Sequence, residues 1–374
     1  MDTHRFSDSA EALPQPLLHQ LAQLVPAMQR RALQLDGAAD FPAADIDSLR
    51  SLGALAAPLP LEWGGAGWGT QPEGAAGLMQ ALRLLGQGNL SVGRLYEAHV
   101  NALRLVMRFG TRDQTHESGR DALDGHLFGL WVTDAPDAPL RLQVDGVLSG
   151  RKAPCSGAGY AARALVTAQL PSGGVSMLTI RAPGHERIDR TGWNTQGMRS
   201  ACNGLAVLDG IRPTAKIGAA GDYLRQPDFS AGAWRTSAVT LGGMEALIAE
   251  MRRQLVRRER DGDPYQRERV GKALIAQETA RFWVERAALF GEAHDGNAND
   301  ITNTVNLARI AVEAACLDAL RIAQRALGLL AFRQGELSEL LMRDLATYLR
   351  QPAPDETLTE AAAHFMRRVV PETP

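Results

Sequence analysis

Residues 41–69 read FPAADIDSLRSLGALAAPLPLEWGGAGWG, and the reading of this stretch sets the frame for the rest of the chain. Within it Ile46, Leu49, Leu52 and Leu55 recur at i, i+3, i+6 and i+9, one face of a helix over 45–55. Gly53 is a break near the end of that helix, and Pro58 and Pro60 prevent its continuation. The run Trp63-Gly64-Gly65-Ala66-Gly67 then forms a tight turn, loose enough for backbone to approach another chain segment or a flat ligand.

Outward from this stretch the texture changes twice. Residues 17–35, 75–85 and 92–109 carry 3.6-period apolar stripes, so 1–125 is expected to be a helical domain. Over 126–225 the short apolar runs FGLWV, ALVTAQL, VSMLTI and LAVLDGI, parted by Gly, Pro and Asp turns, predict strands. Helical spacing returns over 237–257, 268–290, 302–331 and 337–350, four helices that suit an antiparallel bundle in 226–374. The expected fold class is α+β in three domains.

Composition narrows the function classes. A chain of 374 residues, 45% hydrophobic and 22% charged, has room for several domains around a substantial core. A net charge of -2 gives no basic field for nucleic acid or an anionic membrane. Cys155, Cys202 and Cys316 lie far apart, with no CxxC and no His at ligand spacing, so no metal site or disulfide framework is expected. No secretory signal is read in the opening residues and no run of about 18 apolar residues occurs, so a cytoplasmic protein without a membrane span is expected.

The Pro-led helix, the L-G-x-L step at 52–55 and the P-x-E-x-G-G-x-G loop at 60–67 resemble the N-terminal domain of acyl-CoA dehydrogenases and their flavin-dependent relatives. The resemblance implies that family's fold: an all-α N-terminal domain, a middle β-barrel and a C-terminal four-helix bundle. It implies a FAD-dependent oxidoreductase acting on a small molecule, an acyl thioester in the dehydrogenases. It also implies a homodimer or homotetramer, with an electron-transfer or flavin reductase partner.

Later motifs follow in the family's order. Residues 88–114, GNLSVGRLYEAHVNALRLVMRFGTRDQ, resemble its helix ending in R-F-G-T-x-x-Q. Read on its own, His99 is a partly buried helix residue bonded to a neighbour. The flavin monooxygenase branch has a histidine at the matching place that assists oxygen chemistry beside the flavin, which would make His99 catalytic.

Leu130-Trp131-Val132-Thr133 resembles the strand ending in V-T-E-P-G-A-G-S, where backbone and a Thr hydroxyl bond the pyrimidine edge of the flavin. Leu130, Val132 and Thr133 are thus implied cofactor contacts. Two prolines in the following Asp134-Ala135-Pro136-Asp137-Ala138-Pro139 replace glycines and remove N–H donors from a diphosphate. Residues 148–157, LSGRKAPCSG, resemble L-x-G-x-K-x-W-I-T-N-G. Pro154 then stands where an aromatic stacks on the flavin, and Ser156 is the hydroxyl beside its N5. A third match, Gly197-Met198-Arg199-Ser200 followed by 205–213, is similar to L-G-x-R-x-S…F-x-x-V-x-V-P.

In the bundle, Arg260 lies where relatives place an arginine on the FAD diphosphate of a partner subunit, a task suited to a planar guanidinium. A solvated charge run at a helix end is the equal alternative. Arg325 and Gly328 fall in the stretch that the family writes Q-x-x-G-G.

Dehydrogenation by this family needs a Glu base about eight residues after an R-D pair. Here Arg343-Asp344 leads to Pro352. The alternative family position, just before an Arg on the first bundle helix, is Trp234. Glu356 is the acid that remains for a relocated base. The competing readings are a dehydrogenase using Glu356, a monooxygenase fed with reduced flavin and using His99 and Ser156, and a non-catalytic homologue. The monooxygenase branch commonly carries a second His where this chain has Gln351.

Overall fold

The computed structural model describes residues 14–292 and 296–366. Five helices open it: α1 (Pro14–Asp36), α2 (Ala43–Ser51), α3 (Ala75–Gly88), α4 (Leu90–Phe109) and α5 (Arg112–Leu123). Local chemistry sets their starts. Asn89 caps α4 by accepting the Ser91 N–H, and Thr111 with Gln114 forms a capping box at α5. After α2 the glycine-rich turn folds onto its own chain, with Ala66 and Gly67 donating to the carbonyls of Ala57 and Leu59 at 2.9 and 2.8 Å. A Cβ on Gly65 would collide with the Leu59 carbonyl, so the close approach that its glycines permit is to residues 57–59.

The middle segment holds β1 (Phe128–Trp131), β2 (Arg141–Leu142), β3 (Leu148–Ser149), β4 (Arg151–Cys155), β5 (Arg163–Gln169), β6 (Val175–Arg181), β7 (Ile188–Asp189), β8 (Gly204–Val207) and β9 (Ala215–Ile217). One sheet runs β3-β2-β5-β6-β9, with β1 also parallel to β5, and β4-β8-β7 form a second. This corrects the expected β-barrel: among the described residues the two sheets do not close. β2, β3 and β7 are two-residue strands, too short to carry a ladder from one sheet to the other. The sheets are joined by packing, through Trp131, Leu148, Cys155, Val166, Leu178 and Ala206.

The helical C-terminal part consists of the short α6 (Asp228–Ala231) and α7 (Ala233–Arg257), α8 (Pro264–Glu292), α9 (Ala298–Leu327), α10 (Leu337–Tyr348) and α11 (Pro354–Met366). The four expected helices are α7 to α10. α11 was not foreseen: Pro354 sits at its first position, where the missing N–H costs nothing, and the helix returns against α9. α3 lies close on α7, since a Cβ at Gly242 would strike the Arg83 carbonyl, and Arg83 pairs with Glu245 across the contact at 2.6 Å. N-terminal helices and bundle therefore share one core that includes Leu82, Val100, Trp234, Leu241, Val305 and Leu345. Among the described residues no helix is long and apolar enough to cross a membrane.

Candidate functional site

The implied flavin contacts converge where β1 and β4 end. Trp131 is fully buried and its indole N–H donates to the Ser156 carbonyl at 3.0 Å, fixing the end of β1 against the turn after β4. Val132 is half-buried, and Thr133 and Pro154 are exposed beside it. Ser156 is buried and donates its hydroxyl to Asn203 Oδ1 at 2.8 Å. Beneath them Lys152 is enclosed, its Nζ 2.7 Å from Asp134 and donating at 2.9 Å to both the Val132 carbonyl and Thr167. Burial pulls the Lys152 pKa down, against the opposing pull of Asp134.

An exposed hydroxyl and an exposed flat face above a rigid, satisfied base are what the ring of a flavin needs, so the chain fits that part of the cofactor. The loop after it is closed on itself. Ala135 donates to Arg151, Ala138 to Ala135, and Leu140 to the Asp134 carboxylate. These donors are spent internally and offer nothing to a phosphate. The aromatic platform of the family is absent at Pro154, as read from sequence.

His99 does not line this surface. It is fully buried; Nε2 lies 2.8 Å from the Leu55 carbonyl and Nδ1 accepts the Phe128 N–H at 3.1 Å. Burial lowers its pKa to about 4. Both ring nitrogens are therefore engaged, and the imidazole acts as a neutral strut under β1. This placement matches the reading of His99 as a buried helix residue bonded to its neighbours. Glu356 stands exposed in the first turn of α11, outside any enclosed site. Arg260 is bound to Asp263 at 2.7 Å, Arg325 is exposed on the last turn of α9, and Gly328 ends that helix with φ +63°. None of these three lies among the β1 and β4 residues of the same chain.

The two family base positions are filled by other tasks. Trp234 is buried with its indole N–H on Glu292 at 2.9 Å, and the Pro352 carbonyl accepts from Arg309. A charged seam runs beside Trp234: Arg94 with Glu97, Asn101 with Glu97, Arg235 with Asn101 at 2.8 Å and with Glu292, and Arg104 with Asp228 at 3.4 Å. Between α7, α9 and the end of α10 the remaining cavity is about 70 Å³, lined by Thr236, Thr240, Arg309, Glu313, Leu349 and Gln351. Ligand clefts are usually about 300–1,000 Å³. Glu313, the carboxylate on its wall, is tied to Arg350 at 2.8 Å.

A cleft of about 1020 Å³ lies elsewhere, between α1, the 194–199 loop and α10. It includes Gln324, Arg343 and Phe332 but none of Val132, Thr133, Pro154 or Ser156. We place the candidate site at the strand ends, because the groups with matching chemistry meet there. Sequence reasoning missed Asn203, which lies 47 residues from its partner Ser156; no local pattern marks such a pair. Lys152 was visible in the G-R-K step, but its partner Asp134 was read only as part of an altered loop.

Residues 20–125 match the family described as acyl-CoA dehydrogenase, N-terminal domain. No curated protein matches the chain in sequence. Among solved structures, dibenzothiophene monooxygenase from a Paenibacillus species, in complex with FMN and indole, is 18% identical with a TM-score of 0.82, covering 95% of this chain and 98% of that one. Butyryl-CoA dehydrogenase from Megasphaera elsdenii is 17% identical with a TM-score of 0.82, over 97% of this chain and 100% of that one. A nitrososynthase from Micromonospora carbonacea var. africana is 20% identical with a TM-score of 0.80, over 96% and 99%. Residues 20–125 thus match the acyl-CoA dehydrogenase N-terminal domain, and the chain from end to end has the fold of the acyl-CoA dehydrogenases and of the flavin monooxygenases that share it.

Proposed function

We propose that this chain is a flavin-dependent oxidoreductase, and that it is the oxygenase half of a two-component pair fed with reduced flavin by a separate reductase. The observation that carries this reading is the identity of the residues at the two base positions, a buried Trp234 and a carbonyl-bound Pro352. Thioester dehydrogenation needs a base within hydrogen-bond reach of the α-proton, and its loss typically costs about 10²–10⁴-fold. Oxygen chemistry with reduced flavin has no such requirement. The dehydrogenase with a relocated base rests on Glu356, whose exposure speaks against it.

Bound flavin supplies the two-electron redox chemistry. Leu130, Val132 and Thr133 would hold the pyrimidine edge and Pro154 would support the ring. Because Ser156 gives its proton to Asn203, its lone pairs are left free, and it would serve as an acceptor for an N–H of reduced flavin. Trp131 and the buried Lys152, held by the half-exposed Asp134, keep the base of the site fixed. With the 134–139 loop closed, the choice between FAD and FMN falls to phosphate contacts elsewhere, for which Arg260 and Arg325 of a partner subunit are candidates. The substrate is a small molecule, and three unpaired, buried cysteines suit a cytoplasmic setting.

Saturating FAD or FMN should raise the melting temperature by mass action. Reduced flavin with oxygen should then be consumed faster than in the buffer alone, while butyryl-CoA should bleach the oxidised holoprotein slowly under anaerobic conditions. Rapid bleaching would overturn the oxygenase reading, and failure to bind either flavin would sink both enzyme readings.

A further inference from the structure

A recess of about 360 Å³ opens beside the candidate site, walled by Arg190, Trp193, Asn194, Thr195, Arg199 and Asn203. No carboxylate lines it. Arg190 spends one donor on the Ala39 carbonyl at 2.8 Å, and Arg199 one on the Gly37 carbonyl at 3.3 Å. A guanidinium has five donors in a rigid fork, so most of each remains. Of the acids around it, Asp40 stands exposed next to Ala39 in the wall, and two others are already engaged. Asp36 is 3.9 Å from Arg199 but pairs with Arg343 at 2.8 Å, and Asp189 accepts from the Thr191 N–H and hydroxyl at 2.8 and 2.6 Å. Asn203 meets Ser156 through Oδ1 alone, which leaves its amide N–H groups for the recess. Trp193 adds an indole that is 39% exposed.

Two forks of donors, a carboxamide and a half-exposed indole make the surroundings of a flat anion. We propose that this recess binds a small organic anion, with its carboxylate or phosphate between Arg190 and Arg199 and its body against Trp193, and that it anchors the substrate of the reaction beside Ser156. The anchoring role rests on the oxidoreductase reading; the anion binding does not. A bound anion is joined to Ser156 through a single side chain, Asn203, so occupancy of the recess and the orientation of the Ser156 hydroxyl are coupled.

The test uses the full chain without flavin and three probes: benzoate, phenyl phosphate and neutral benzamide. Calorimetry should give saturable binding of at least one anion, and the preferred anion identifies the head group. Benzamide should bind at least tenfold more weakly. Arg190→Gln and Arg199→Gln should each weaken the anion at least tenfold, and Arg190→Lys less, because it keeps charge but loses the fork. Trp193→Phe should remove the accompanying change in tryptophan fluorescence while heat of binding remains, a readout that holds even if an arginine variant misfolds. No saturation by about 10 mM, weaker than any useful site, would overturn the proposal. So would equal binding of benzamide, or unchanged binding in both folded glutamine variants. Flavin binding is measured in a parallel sample, so anion binding without it would remove the oxidoreductase reading and leave the recess standing.

Discussion

Asp344 on α10 accepts the backbone N–H of Met198 at 2.6 Å, joining the bundle to the loop that ends at Asn203. Thr347 accepts the Gly197 N–H at 3.1 Å beside it, and a Cβ at Gly197 would collide with the Arg343 carbonyl. The segment is wound tightly: Met198 and Cys202 have φ of 57° and 48°, a region that side-chain-bearing residues seldom occupy. Gly157 in turn donates to Ala201 at 2.8 Å. The candidate site is thus registered to the bundle through Asp344 and Thr347 on one helix.

The Asp344 carboxylate gives a pH signature. Burial raises the Asp344 pKa from 3.8 to about 7, opposed by the Met198 N–H. The folded state therefore holds a proton between these limits that the unfolded state has released. The stability this contributes is complete below about pH 4 and is lost as pH rises through 7. Asp344→Asn accepts the same N–H without titrating. Melting temperatures of the two proteins from pH 5 to 8 should converge or cross, wild type losing ground as pH rises; a constant difference would refute the assignment.

His99 behaves in the opposite sense. Its pKa falls from 6.5 to about 4, so the stability it contributes is complete above pH 6.5 and is lost as pH drops toward 4. His99→Ala strands the Leu55 carbonyl and the Phe128 N–H, at a cost of about 2–4 kcal/mol. Denaturant unfolding should record that loss. A variant of undiminished stability would return His99 to the list of reactive groups.

Asn203→Ala should free the Ser156 hydroxyl to rotate and donate, weakening its match to reduced flavin. The ratio of reduced to oxidised flavin affinity should fall about five- to tenfold, the worth of one hydrogen bond at about 1 kcal/mol. A redox titration reads this as a lowered flavin potential, and an unmoved potential would separate Ser156 from the cofactor.

On α8, Ile275, Phe282 and Leu289 are 70%, 60% and 51% exposed and repeat every seven residues, one apolar stripe along the outside of the bundle. We expect this stripe to be covered by a second copy. Light scattering should give at least two chains of 40.3 kDa, about 81 kDa. Phe282→Arg should shift that toward the monomer, and a wild-type monomer at micromolar concentration would rule the contact out.

Much of the fold was legible because its signals are local. The 3.6-residue stripes of α1, α3 and α4 and the apolar runs of β1, β5, β6 and β8 each report their own element. Closure of a barrel is not local: it depends on ladders between strands, and those at β2, β3 and β7 are two residues long. α11 was missed because two prolines read as a stop, whereas Pro354 starts a new helix. At the site, Val132, Thr133 and Ser156 stood in contiguous motifs and do assemble. That His99 is buried and bonded was legible, but its two partners, Leu55 and Phe128, lie 44 and 29 residues away and could not be read. The tie from Asp344 to Met198 spans 146 residues, beyond any pattern in the chain.

Lys152 has a consequence outside catalysis. The chain has three lysines, Lys152, Lys216 and Lys272, its other basic side chains being arginine. Lys216 and Lys272 are exposed, while the amine of Lys152 is sealed between Asp134, Val132 and Thr167. Amine-reactive reagents should therefore label two side chains at once and the third only when the sheets part. The protein carries its own tag for the breathing of its middle domain, readable by mass spectrometry without any engineered probe.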